Sequence, residues 1–304
     1  MLIRHLMLVV AVLVIPFQVQ GQSPEPISRI LPENVKVTRD IVYATYGDRS
    51  LRLDLYEPGQ RDTTLLPSIV VIRGGGWRRG DKEKFGPMAA ALAVRGLVAV
   101  SIEYRASKEA VFPAAVEDTK AAVRWLRANA DRYRLNPDAI GAIGGSAGAH
   151  LAIYLGVTDR VTSLAGIGGN QDMASSVSAV IGLAPPTNLL SFTGHESDVE
   201  KNSYVVEFLG TSYKENPRLW TFASPISHVT ASSPPLLLIH SESDRLVPFR
   251  QSLEITKLYG NIGVPVEVVL IPVAPHGFWN FKQWFGDTMD RSAAFFWRHL
   301  NNAE

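Results

Sequence analysis

One tight turn limits what this chain can fold into: residues 144–148 read GGSAG and fit the pattern G-x-S-x-G. The apolar run 139–143 predicts a buried strand before the turn, and the Ala- and Leu-rich stretch 147–156 predicts a helix after it. A serine at so short a junction has a strained backbone and holds its hydroxyl above the sheet, so its neighbours must be small. The pattern therefore predicts a nucleophilic Ser146. An ordinary Gly-rich turn is the alternative; a Walker-type phosphate loop is excluded because no Lys-Ser/Thr pair follows.

The rest of the chain alternates between two kinds of pattern. Continuous apolar runs predict strands buried on both faces at 67–73, 96–104, 177–183, 234–240 and 264–271. Helical patterns separate them at about 85–94, 113–133 and 250–258, and another closes the chain at 287–300. This alternation predicts an α/β domain with a mostly parallel central sheet and helices on both faces.

Two further segments complete the predicted domain of residues 35–304. The runs 41–46 and 51–56 flank a Gly47-Asp48 turn, which predicts an antiparallel N-terminal hairpin. The polar and aromatic stretch from about 192 to 226 interrupts the alternation, and we expect it to form a small lid insertion over the strand ends.

The first 21 residues have the features of a signal peptide. Arg4 and His5 precede an apolar run, 6–17, that Pro16 interrupts, and Val19 and Gly21 suit the −3 and −1 positions of a cleavage site. We expect residues 1–21 to be removed, residues 22–34 to form a linker, and the protein to be secreted or periplasmic. An uncleaved membrane anchor is the alternative, although the run is short for a transmembrane helix.

Composition excludes several classes of function. The chain has no cysteine, which removes disulfides, thiol catalysis and thiolate metal sites. Its net charge is +1 without a basic block, which argues against a nucleic-acid partner and gives no electrostatic reason to bind anionic membranes. We expect no stable membrane anchor after cleavage.

A serine nucleophile needs a base and an orienting acid. Of the seven histidines, His276 follows the last predicted strand on a Pro/Gly loop, where a mobile base belongs. The acid should lie between serine and histidine in the chain. Asp244 follows the strand 234–240 by a short loop and precedes a helix, which favours it over its rival Glu242. A lone Asp in a loop is more often a cap or turn residue, but here the chain order, the strand-end positions and the spacing all agree with the role of the acid.

The nucleophile also needs donors for the developing oxyanion. Residues 73–77 read RGGGW and follow the strand that ends near Arg73. Consecutive glycines leave backbone N–H groups open to a cavity, so we expect Gly75 and Gly76, together with Ala147, to form an oxyanion hole. A flexible turn is the alternative.

Four segments resemble one family of enzymes: RGGGW (73–77) with GDK (80–82), GGSAGAHLA (144–152), SDRLVPFRQS (243–252) and PHGFWN (275–280). They look like an α/β-hydrolase-fold serine esterase of the hormone-sensitive-lipase-like group, closest to bacterial feruloyl and acetyl-xylan esterase-like members. The resemblance implies Ser146 as nucleophile, Asp244 as acid, His276 as base and Gly75, Gly76 and Ala147 as oxyanion hole. It implies no metal or organic cofactor.

One residue departs from the family pattern. Family members usually carry histidine before the three glycines, and this chain has Arg73. The arginine would either brace the loop by hydrogen bonds to carbonyls or attract an acidic group of a substrate.

The substrate is predicted only by class. Export and the resemblance favour acetyl or feruloyl esters of polysaccharide, and a small-molecule carboxylesterase is nearly as well supported. Trp77, Phe278 and Trp279 are candidates for the substrate pocket, whereas Phe281, Trp284 and Phe285 are better explained as core. The alternatives are an aryl-formamide or other small amide hydrolase, because SAGAH also occurs in formamidases, and a catalytically inactive hydrolase fold used for binding.

Cleavage after Gly21 can be tested directly. N-terminal sequencing of the protein recovered from the medium or periplasm of an expressing bacterium should begin at Gln22, because signal peptidase cuts after the small residue at −1. A sequence that begins at Met1 would contradict the signal-peptide prediction.

Overall fold

The computed structural model describes residues 23–192 and 203–301, and the backbone of 12–14. The predicted signal peptide otherwise lies outside the described residues, as do 193–202 of the predicted lid. The strands are β1 (Val12–Val14), β2 (Val35–Tyr46), β3 (Arg49–Pro58), β4 (Leu66–Ile72), β5 (Val98–Ile102), β6 (Leu135–Gly145), β7 (Ala179–Leu183), β8 (Leu236–Ser241) and β9 (Val266–Ile271). The helices are α1 (Gly86–Val94), α2 (Ala114–Ala128), α3 (Ala130–Tyr133), α4 (Ala147–Val157), α5 (Ser203–Leu209), α6 (Pro217–Phe222), α7 (Arg250–Asn261) and α8 (Lys282–Leu300).

The strands form one sheet in the order β1-β9-β8-β7-β6-β4-β5-β3-β2. The first seven strands in this order, β1 through β5, pair in parallel with their neighbours. Strand β3 pairs antiparallel with both β5 and β2. The predicted α/β class, the parallel centre and the N-terminal hairpin are therefore confirmed. Strand β1 lies within the predicted signal peptide. Cleavage after Gly21 would therefore remove β1 and leave β9 at the edge of the sheet.

Two apolar layers cover the sheet because neighbouring strand residues point to opposite faces. In β4, Val70 and Ile72 pack into a core shared with α2, α4 and α7. Ile69 and Val71 pack into the other core, against α1 and α8. All eleven residues of α4 are buried, which explains why this helix carries almost no polar side chains. No helix within the described ranges is long and apolar enough to span a membrane.

Three shorter regions refine the sequence predictions. The last helix begins at Lys282, five residues before the predicted start. Residues 23–34 contact the domain, since the Ile27 N–H donates to the Asn280 carbonyl at 2.9 Å and Pro26 bridges to Phe281. The described part of the lid insertion contains α5 and α6 and a 3₁₀ turn at Pro225–His228.

An ion cluster around the buried side chain of Lys82 fixes the segment that follows β4. Lys82, only 3% exposed, has its Nζ 3.0 Å from Asp54 Oδ1 on β3 and 2.9 Å from Asp40 Oδ1. Burial opposes the charge on Lys82, but hydrogen bonds to Asp40, Asp54 and Glu83 outweigh it and hold the lysine pKa above its usual value. The chain between β4 and α1 is therefore tied to the N-terminal hairpin.

Removing this lysine should destabilise the fold. Lys82→Met leaves the fully buried Asp54 with one cationic partner fewer, and we expect a loss of about 3 kcal/mol in the free energy of unfolding. Urea denaturation measures the loss. Lys36→Met is the matched control, because Lys36 is exposed and its ion pair with Glu57 is worth at most about 1 kcal/mol. Equal effects of the two changes would contradict the structural role of Lys82.

Candidate active site

The predicted nucleophile lies on a strained turn between β6 and α4. Ser146 has φ 55° and ψ −124°, a conformation that residues with a Cβ rarely adopt. Its N–H donates to the Leu183 carbonyl at the end of β7 at 2.8 Å, and its carbonyl accepts from His150 in α4. The surrounding contacts thus hold the turn in place, with Ser146 at the carboxyl edge of the sheet.

The glycines of this turn are required by close backbone approaches. A Cβ on Gly144 would lie 2.2 Å from the Gly148 carbonyl oxygen, and one on Gly148 would lie 2.1 Å from the Ile72 carbonyl oxygen. Both atoms belong to backbone and cannot swing aside. The two flanking positions of G-x-S-x-G therefore let β4, β6 and α4 meet at one point.

Side chains from three loops form a chain of hydrogen bonds that ends at Ser146. His276 follows β9, and its Nε2 lies 2.9 Å from Ser146 Oγ. Its Nδ1 lies 2.7 Å from Oδ2 of Asp244, which follows β8. The structure thus brings together the three residues that the sequence predicts as a triad. The rival acid, Glu242, is exposed, whereas Asp244 is buried.

The Asp244 carboxylate is fixed on both oxygens. Oδ1 accepts the N–H groups of Leu246 and Val247 at 2.9 and 3.0 Å. Burial alone would raise the pKa of Asp244, but hydrogen bonding to His240 and His276 and from the backbone outweighs it and holds the pKa well below its usual value. The group is therefore ionised near neutral pH and able to stabilise a charged His276.

A second histidine supports this carboxylate and was not predicted from the sequence. His240 is fully buried at the end of β8, with Nε2 3.6 Å from Asp244 Oδ2. The same nitrogen donates to the Val247 carbonyl at 2.9 Å, and Nδ1 accepts from the Ser252 hydroxyl at 2.8 Å. Its signal in the sequence was a polar residue at the end of the apolar run LLLIH, four positions before the acid.

His150, in the helix behind the nucleophile, has a packing role. Its Nδ1 accepts from Trp77 Nε1 at 3.3 Å, and its Nε2 donates to the Ala223 carbonyl at 2.9 Å. Burial lowers the pKa of His150 to about 4, so the ring is neutral under ordinary conditions. It ties the lid insertion to the glycine loop. His5 and His195 lie outside the described residues.

The glycine loop lies beside the nucleophile. Gly75 and Gly76 have φ 128° and 60°, which favour glycine, and they line the same cavity as Ser146 and Ala147. The N–H groups of Gly75, Gly76 and Ala147 have no hydrogen-bond acceptor among the described residues. They are therefore free to bind an oxygen atom that enters the cavity.

Arg73 pairs with a carboxylate at the base of this loop. Its guanidinium forms an ion pair with Asp81, and its side chain is 11% exposed. The Arg73 carbonyl accepts from the Tyr104 hydroxyl at 3.0 Å. The ion pair favours the bracing role over direct recognition of a substrate, with a carboxylate as partner in place of the expected carbonyls, although part of the side chain still lines the cavity.

A cavity of about 460 Å³ opens above Ser146. Its aromatic lining comprises Trp77, Phe85, Phe192, Tyr204 and Trp279. Trp77 forms part of the wall but is 1% exposed and stacks on Phe208 at 4.7 Å. The prediction that Phe278 lines the pocket is wrong, because Phe278 is fully buried in the core against α8. Its neighbour Trp279 does line the cavity. Phe281, Trp284 and Phe285 belong to that core, as predicted.

Residues 53–259, which are more than half of the chain, match the family described as BD-FAE. The chain belongs to the BD-FAE family. The match, together with relatives and solved structures, confirms the resemblance to α/β-hydrolase-fold serine esterases of the hormone-sensitive-lipase-like group.

Relatives of this BD-FAE member include "Esterase LipQ" of Mycobacterium tuberculosis, 32% identical over 79% of the chain and 57% of that protein. The chain therefore spans little more than half the length of this relative. Among solved structures, a truncated carbohydrate esterase from gut microbiota aligns with a TM-score of 0.77 and 27% identity over 91% of this chain and all of the other. The esterase Est2 of Thermogutta terrifontis aligns with a TM-score of 0.73 and 28% identity over 90% and 96% of the two chains. These similarities confirm the α/β-hydrolase fold.

The close approach at Gly148 gives a stability prediction. Gly148→Ala places a methyl group against the backbone at Ile72 and should lower the free energy of unfolding by about 2 kcal/mol. Gly286→Ala is the matched control: it lies in α8 with nothing within 4 Å of the new methyl, and should raise stability by about 0.5–1 kcal/mol. Urea denaturation of both variants measures the contrast. A Gly148→Ala protein as stable as wild type would show that β4 and α4 can separate at little cost.

Proposed function

We propose that the protein is a secreted serine carboxylic-ester hydrolase in which Ser146, His276 and Asp244 form the catalytic triad. The observation that carries this proposal is the continuous chain of hydrogen bonds from Asp244 through His276 to Ser146, at 2.7 and 2.9 Å, at the floor of an open cavity. Export is proposed from the sequence of residues 1–21 alone.

The first half of the reaction follows from these contacts. His276 Nε2 takes the Ser146 proton as Oγ attacks the carbonyl carbon of the ester. The oxyanion binds to the N–H groups of Gly75, Gly76 and Ala147, where one preorganised donor lowers the barrier by roughly 3 kcal/mol. His276 then protonates the leaving alcohol, and the acyl group remains on Ser146.

The second half repeats these roles with water. His276 takes a proton from the water as it attacks the acyl-enzyme, and returns the proton to Ser146 as the acid leaves. Asp244 holds the imidazole in the tautomer with Nδ1 protonated and stabilises the imidazolium. The backbone donors on Oδ1 prevent Asp244 from rotating away from His276.

For the substrate we propose acetyl or feruloyl esters of polysaccharide, or small esters of similar size. The cavity volume of about 460 Å³ falls in the range of small-molecule sites, and its aromatic walls suit an acyl group or a sugar ring. Two comparisons support short acyl groups and carbohydrate. One similar structure is of a carbohydrate esterase, and Est2 has been solved with butyrate and with propionate bound.

The test compares two esters on the chain from residue 22. Wild type should hydrolyse p-nitrophenyl acetate, and hydrolysis of methyl ferulate as well would assign a feruloyl-type acyl site. Ser146→Ala should lose at least about 10³-fold in kcat, because the covalent step is removed. Circular dichroism and thermal unfolding establish that the variant is folded. A folded Ser146→Ala protein with full activity would refute the triad.

The same experiment separates the alternatives. Labelling of Ser146 by a fluorophosphonate without hydrolysis of either ester would favour an amide hydrolase, such as one acting on aryl-formamides. Absence of both labelling and hydrolysis would favour a catalytically inactive binding protein.

A further inference from the structure

The walls of the active-site cavity carry an excess of positive charge. Among the described residues that line it, four are basic and none is acidic: Arg73, Arg78, Arg79 and Lys84. The net charge of the whole chain is only +1, so this concentration is local. Charge of one sign around a low-dielectric cavity raises the local concentration of ligands of the opposite sign.

Two of the four cations already pair with a carboxylate of the protein. Arg73 pairs with Asp81. Arg78 forms a bidentate pair with Glu207 of α5, at 2.5 and 2.6 Å, and its guanidinium lies 4.1 Å from the centre of the Tyr204 ring. These two residues therefore have structural partners that explain their presence.

Arg79 and Lys84 differ, since neither has a carboxylate within ion-pair distance among the described residues. Arg79 is exposed and lies against the oxyanion loop, with its Cβ 3.3 Å from the position of a Cβ on Gly75. A solvated surface cation is a sufficient explanation for Arg79 alone.

Lys84 is harder to explain as a solvated cation because it is partly buried. Burial, followed by repulsion from Arg29 and Arg73, lowers the pKa of Lys84. The protein thus holds an ammonium group at a cavity wall where its own residues make the charge less favourable. A bound anion would reverse this, because it supplies the missing opposite charge.

We propose that this cavity selects esters that carry a carboxylate, with Lys84 and Arg79 as the residues that bind it. The inference rests on the proposed ester hydrolysis and adds a substrate class to it. The carboxylate lies on the acyl or the alcohol part of the ester, and the test treats the two parts separately. No residue of the triad is involved in this recognition.

The experiment uses two matched pairs of esters at low ionic strength. In the first, 4-acetoxybenzoate and 4-acetoxybenzamide differ in charge on the alcohol part. In the second, mono-4-nitrophenyl glutarate and 4-nitrophenyl pentanoate differ in charge on the acyl part. The readout is the ratio of kcat/KM for the anionic ester to kcat/KM for the neutral one, each normalised to imidazole-catalysed hydrolysis of the same ester.

Wild type should give a ratio above one for at least one pair, and the ratio should fall as salt is added. Lys84→Met and Arg79→Gln should each lower that ratio by about fivefold, as expected for loss of one partly screened charge pair. Lys257→Gln, which removes an exposed cation on α7, is the control and should leave the ratio unchanged. Because Arg79 is exposed, its variant tests the proposal even where Lys84→Met folds poorly.

Two results would overturn the proposal. One is a wild-type ratio at or below one for both pairs, and the other is a ratio that neither variant lowers. Either result, with the neutral esters hydrolysed, leaves the proposed ester hydrolysis intact. Failure of wild type to hydrolyse any of the four esters would refute both the ester hydrolysis and the substrate class.

Discussion

The site depends on the contact between the ends of two neighbouring parallel strands, β4 and β6. A Cβ on Gly74 would lie 2.3 Å from the Gly145 carbonyl oxygen, and the Gly148 approach to Ile72 is equally close. Only residues without side chains allow the nucleophile turn and the glycine loop to share one small volume. This packing holds Ser146 close to the proposed oxyanion donors before any ligand arrives, which is the condition for electrostatic preorganisation.

The acid side of the site is stabilised differently, by hydrogen bonds rather than by close packing. Asp244 is 7% exposed, and its charge is offset by two backbone N–H groups and two histidine rings. His240 is in turn oriented by Ser252 and by the Val247 carbonyl, so β8, the acid loop and α7 act as one unit. The carboxylate thus remains charged while excluded from most of the solvent.

Much of this arrangement could be predicted from sequence because it follows from local patterns. The strands beside Ser146 are buried on both faces and read as apolar runs, and the G-x-S-x-G spacing marks a turn with a steric requirement. His276 and Asp244 could be placed because each follows a strand in the sheet order of the fold. Phe278 could not, because the two neighbours on the 3₁₀ turn Phe278–Asn280 have different surroundings: Phe278 is fully buried, whereas Trp279, whose ring lies 5.1 Å from that of Phe278, also lines the cavity. His240 escaped prediction because its contacts with Asp244, Val247 and Ser252, although these residues lie within twelve positions of it, follow no known spacing rule.

Helix α5 contacts the glycine loop, so the lid insertion affects the shape of the site as well as access to the cavity. Tyr204 leaves no room for a side chain at Gly76. Glu207 forms a bidentate pair with Arg78, two residues further along the same loop. The shape of the glycine loop therefore depends on contacts with an insertion, and insertions are among the most variable regions of a fold. An exchange of this insertion would remove the contacts of Tyr204 and Glu207 with the loop, so a change that alters the cavity would also alter the surroundings of Gly76.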